Sequence, residues 1–119
     1  MSNPSIETHL GRIDIDENVV ARSAAAVADE CFGVVGMAAV GMKDGIVKLL
    51  GGRDSTRGIK VTIKDSRISV DLHIIVSYGV SIMTVASNLQ ESVKYRLEQF
   101  TGLTAETVNV YVEGVRVID

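Results

Sequence analysis

Two histidines, one cysteine and a scatter of carboxylates are the residues of this chain that could do chemistry. A cysteine nucleophile needs a base beside it. Cys31 has only His9 and His73 to draw on, and neither spacing carries a nucleophile–base signature. Cys31 also falls on the apolar stripe of a helix, where it reads as a small core hydrophobe. His73 alternates outward on a strand beside Asp71 and Ser69, with Lys60 or Thr62 across a hairpin. Such neighbours would suit a base or a pH sensor. The simpler reading is a polar residue on the open face of a sheet. Asp14, Asp16 and Glu17 are close in sequence, but strand and cap geometry point them apart. No group of His, Cys or carboxylates has metal-ligand spacing, and neither a metal nor a cofactor is expected.

One further stretch invites a chemical reading. Gly51 to Gly58, GGRDSTRG, offers glycines and hydroxyls that could cradle a phosphate, helped by Arg53 and Arg57. It lacks the Gly-Lys-Ser/Thr ending of a P-loop and does not lead from a buried strand into a long helix. It reads first as a mobile surface loop and only second as an anion site.

The elements that would position these residues are legible from periodicity. Met1 to Leu10, with the only proline, reads as a flexible N-terminal arm, and residues 11–119 as a single domain. Gly11 to Asp16 alternates like a short half-buried strand. Asp16 then sits where a helix N-cap belongs, with Glu17 in the first turn. Val20, Ala24, Val27 and Cys31 share one face of that helix, widened by Ala21, Ala25, Ala28 and Phe32. Gly33 suits its C-terminus. Val34 to Val40 is a short apolar strand. Asp44 to Leu50 reads as a short helix with Ile46, Leu49 and Leu50 inward.

Ile59 to Lys64 alternates cleanly, Asp65-Ser66 forms a tight turn, and the return strand places Ile68, Val70, Leu72, Ile74 and Val76 inward. Ser81 caps a second helix whose stripe is Ile82, Val85, Leu89, Val93, Leu97 and Phe100, and Gly102 stops it. The last strand slips phase: Val108, Val110 and Val112 share one parity, Val115 and Val117 the other. A β-bulge at Glu113-Gly114 would restore a common inward face. The expected fold is α+β, a two-layer sandwich with two main helices on one face of a small mixed sheet, in the order β-α-β-β-β-α-β with the short helix as an insert. The opposite face would then carry Ile75 and Tyr111 among polar residues, His73 included. A sheet covered on one side leaves such a face free for a partner or a second copy.

Composition narrows the function classes. Hydrophobic residues make up 46% of the 119, but only 4% are aromatic and there is no Trp. That excludes the rows of aromatic platforms used by single-strand nucleic-acid binders. A net charge of -3 gives no general attraction to phosphate backbones or anionic lipids. A lone cysteine forms no internal disulfide and fits a cytoplasmic setting. The apolar runs are too short to span a bilayer, so direct membrane insertion is not expected.

The runs I74-I-V-S-Y-G79, V85-A…L89-Q…V93-K-Y…L97 and V108-N-V-Y-V-E-G-V-R resemble the alkaline shock protein family of Gram-positive bacteria, and most of all its short YloU-like branch. G11-R-I-D-I, the Ala-rich helix and G33-V-V-G-M37 fit as well, so the resemblance runs from about Leu10 to Ile118. It implies a cytoplasmic α/β domain tied to cell-envelope stress and homeostasis. It also implies protein partners, among them a membrane-anchored protein or a kinase of the dihydroxyacetone-kinase type acting on fatty acids. It supplies no catalytic residues. The expected function is therefore a non-enzymatic interaction or scaffold protein, acting through partners or as a homo-oligomer, and peripheral to the membrane through a partner. The alternative is a small-ligand or anion-binding accessory domain for such a kinase, using Arg53 and Arg57.

Overall fold

Asp16 and Ser81 start the two helices, as their positions predict. In the computed structural model, Asp16 Oδ1 accepts the Asn18 N–H at 2.8 Å and opens α1 (Glu17–Glu30). Ser81 Oγ accepts the Thr84 N–H and opens α2 (Ile82–Thr101). Gly102, in the left-handed region at φ 76°, closes α2. The structure describes residues 5–40 and 45–117, with side chains at all of these except 40 and 52–54.

Among the described residues seven strands accompany the helices: β1 (Ser5–Thr8), β2 (Gly11–Asp14), β3 (Val34–Val40), β4 (Val47–Leu50), β5 (Ile59–Lys64), β6 (Arg67–Ser77) and β7 (Thr104–Arg116). β6 is the centre of the main sheet. β7 runs parallel to it from Arg67 to Ser77. The other side of β6 is shared end to end by two antiparallel neighbours: β5 along Arg67 to Leu72, and β3 along Ile74 to Val76. β4 lies outside β3. The fold is α+β, and the sheet is mixed because a helix, rather than a tight turn, carries the chain from β6 to β7.

The core lies between this sheet and the helices. Val20, Ala24, Val27 and Ala28 of α1 and Val85, Leu89, Val93 and Leu97 of α2 pack on Ile68, Val70, Leu72, Ile74 and Val76. Alanines on α1 let it come close to the layer beneath. The stripes are shorter than their spacing suggests: Phe32, Ile82 and Phe100 are exposed, because each sits at or beyond a helix end. Cys31 is the C-cap of α1, its N–H donating to the Ala28 carbonyl, and Gly33 follows with φ +87°. The β5–β6 turn holds Asp65 and Ser66 both at positive φ, the pattern of a two-residue hairpin turn of type I′.

Four readings of the sequence need correction. Residues 5–10 are not simply a loose arm: β1 pairs antiparallel with β2, Ile6 opposite Ile13. β2 is exposed along its length rather than half-buried, since among the described residues its only strand neighbour is β1. The apolar run before Gly51 forms the strand β4 in place of the expected short helix; Asp44 itself lies outside the described residues. Gly52–Gly58 is a 3-10 helix rather than a mobile loop, with Ser55 and Gly58 buried. A Cβ at Gly58 would stand 2.8 Å from the Ala38 carbonyl oxygen, so only glycine lets this turn lie against β3.

Candidate functional site

The face of the sheet away from the helices carries the candidate residues. β6 sends Ser69, Asp71 and His73 to it, and β7 sends Thr107, Asn109 and Tyr111, each opposite its partner in register. Parallel pairing in register turns these into rungs. Asn109 Nδ2 donates to Asp71 Oδ1 at 2.9 Å. Tyr111 stacks on His73 with ring centroids 4.7 Å apart and planes 14° from parallel. On the β5 side, Lys60 stands opposite Asp71 and Thr62 opposite Ser69.

Glu113 completes the cluster. β7 passes from the Val112–Ile74 pair to the Gly114–Ile75 pair and leaves Glu113 as the extra residue, the bulge expected from the phase slip. Val115 thereby comes opposite buried Val76, although it stays about half exposed on the edge strand. From the bulge the Glu113 carboxylate reaches His73, with Oε2 2.5 Å from Nδ1. A carboxylate only accepts, so the ring proton sits on Nδ1 and donates to it. A second bulge, at Glu106, lies between the Ala105–Ile68 and Thr107–Ser69 pairs. Glu106 in turn pairs with Arg67 at 3.5 Å.

A histidine held by a carboxylate and stacked on a phenol has a fixed ring and tautomer. The same arrangement serves a general base or a metal ligand when a reacting group stands at the other nitrogen. Among the described residues no group of three His, Cys, Asp or Glu could hold a metal ion. What the cluster does present is an ordered, partly exposed aromatic surface. Tyr111 is 44% exposed, and polar groups flank it.

Ile75 does not share that surface. It points to the helix-free face as its parity predicts, yet it is only 3% exposed. Its cross-strand neighbours are Gly36 on β3 and Gly114 on β7, which leave a trough on either side of it. Side chains of β4 fill that trough. A Cβ on Gly114 would lie 3.9 Å from Val47 and 3.8 Å from Ile75, and one on Gly36 would lie 2.9 Å from Leu49. The β3–β4 hairpin therefore folds across this end of the face. Parity gives the face of a residue but not what covers it.

The other candidates are dispersed. Arg57 is exposed on the last turn of the 3-10 helix, and the side chain of Arg53 lies outside the described residues. Cys31 is partly buried against the core, and burial raises its thiol pKa, away from the thiolate that a nucleophile needs. Sequence reasoning does not find Glu113 and Asn109 as partners of His73 and Asp71. The parity shared by Asn109, Tyr111 and Glu113 is the available signal, but pairing them with β6 needs the parallel register.

Comparison with known proteins identifies a family and a fold. The model of the alkaline shock protein 23 family, described as having a cell envelope-related function, matches residues 5–117. The uncharacterised protein YloU of Bacillus subtilis is 43% identical over 113 residues, 94% of each chain. The uncharacterised protein Spy1614 of Streptococcus pyogenes serotype M6 is 43% identical over 114 residues, 95% of this chain and 94% of that one. Among solved structures, two histidine-to-alanine variants of MamM-CTD each superpose with a TM-score of 0.51 at 15% identity. Each covers 83% of this chain and 98% of its own. At that identity the likeness is one of fold.

Proposed function

This chain belongs to the alkaline shock protein family, with its cell envelope-related function, and we propose that it serves the envelope as a non-enzymatic interaction protein. Its binding surface is the helix-free sheet face centred on Tyr111 and His73. One observation carries this reading: an exposed tyrosine is held rigid by stacking on a histidine that is itself held by Glu113. Rigid aromatic residues ringed by polar ones supply contact area at little conformational cost. Among the described residues no helix is long and apolar enough to cross a membrane. Association with a membrane then runs through a partner. The partner classes that fit are a membrane-anchored protein, a kinase of the dihydroxyacetone-kinase type, and a second copy of the chain.

The test combines light scattering after size exclusion with affinity capture at native expression level. The parent protein is expected to run heavier than one chain or to retain a reproducible partner. Tyr111→Glu should abolish either while leaving the thermal melt unchanged. A strict monomer that retains no partner would overturn the proposal.

A further inference from the structure

Among the described residues, no strand pairs with the outer edge of β7. The first half of that edge is covered by α2. Glu98 accepts the Ala105 N–H at 3.0 Å, Lys94 Nζ donates to the Ala105 carbonyl at 3.2 Å, and Gln90 Nε2 donates to the Val108 carbonyl at 2.8 Å. A groove of about 200 Å³ runs between these side chains and the strand. The contacts also show which backbone groups face outward. In a parallel ladder, alternate residues address the neighbouring strand. With Val108 outward, Val110 and Val112 are outward as well, and Thr107, Asn109 and Tyr111 address β6. Among the described contacts, no side chain holds Val110 or Val112 as Gln90 holds Val108.

We propose that this open stretch pairs with the same stretch of a second copy, antiparallel, about a two-fold axis through Tyr111. The proposal rests on the interaction reading above and supplies its partner and its edge. In this register Val110 of each copy meets Val112 of the other, and the outward N–H and C=O groups satisfy one another. Tyr111 meets its own copy at a non-hydrogen-bonded position, where side chains approach closely. Asn109 comes opposite Glu113, an amide donor facing a carboxylate. At either end, past the bulges, Glu106 of one copy and Arg116 of the other fall at the same end of the pairing, a pair of opposite charge.

Neighbouring registers lose these matches. An axis through Val110 sets Val112 against Val108, whose carbonyl Gln90 already holds. An axis through Val112 sets Tyr111 against Glu113 and loses the facing of Asn109 and Glu113. The helix layer adds an apolar contact. α2 runs antiparallel to β7, and Met83, two turns before Gln90 on the same side of the helix, is 75% exposed. By that spacing it lies beyond Gln90, toward the Tyr111 end of the strand. The bulges at Glu106 and Glu113 interrupt the strand at both ends, so the edge accepts one short partner and resists open-ended growth.

Sedimentation equilibrium on the full chain over a wide concentration range tests this. A monomer–dimer equilibrium is expected. Val112→Pro removes one outward donor per copy without touching the β6 ladder, and should weaken the dimer about tenfold or more. Glu106→Arg should weaken it too, and Glu106→Arg with Arg116→Glu should restore it. That swap keeps the test sharp if the proline variant folds poorly. A monomer at every concentration would overturn edge pairing, while Tyr111-dependent capture of a different protein would leave the interaction reading standing. A dimer indifferent to both the proline and the charge swap would place the contact elsewhere and overturn the proposal.

Discussion

The β6–α2–β7 unit and the segment from Gly33 to Gly58 both lean on β6, by different means. The first buries regular stripes: Leu89, Val93 and Leu97 of α2 lie fully covered on alternate residues of β6. The second comes close through absent side chains. Gly58 lies against β3, and Gly36 leaves room for Leu49. Periodic packing spreads its stability over many contacts. Glycine-based packing concentrates it at a few backbone approaches, where one added carbon is felt.

Three measurements sharpen or break this contrast. The largest effect is expected in the periodic unit. Leu97→Ala removes a fully buried side chain and should cost about 2–5 kcal/mol, read from chemical denaturation. A loss below about 1 kcal/mol would show that α2 is not held by its stripe. Next, Gly58→Ala should cost about 1–3 kcal/mol although it adds a single methyl, because the carbon meets backbone rather than a flexible side-chain end. A neutral result would mean that the 3-10 helix can lift off β3.

The smallest effect concerns the seam between α2 and β7. The Ala105 N–H, and after it Lys94, hold the Glu98 carboxyl below its ordinary value. A lowered carboxylate pKa stabilises the fold above its unfolded value, near 4.3, and that contribution is lost as pH falls through the folded value. Glu98→Gln should therefore flatten the acid side of the stability–pH curve and leave its shape near neutrality unchanged. An unchanged acid limb would show that the Glu98–Ala105 contact does not persist in solution.

Legibility in the sequence follows the same division. The stripe Val85, Leu89, Val93 and Leu97 identifies α2, and the parity break between Val112 and Val115 locates a bulge, because both signals come from long regular elements. The run Ile46 to Leu50 is too short for its period to separate strand from helix, so β4 reads as helical. Gly51 to Gly58 has a loop's composition, and its order comes from a close approach to β3 that composition does not encode. The candidate site is half visible. Parity alone places His73 and Tyr111 on one face. Glu113 and Asn109 join them only through the parallel register, and Ile75 leaves the surface because Val47 arrives from a strand that periodicity does not reveal.

The trough beside Ile75 has a consequence for how this protein tolerates sequence change. Gly36, Val47, Leu49, Ile75 and Gly114 belong to four different strands but occupy one shared volume. A larger residue at 114 needs a smaller one at 47, and growth at 36 displaces the residue at 49. Substitutions at these positions are therefore non-additive. Positions far apart along the chain are bound to vary together, as interlocking parts of one plug.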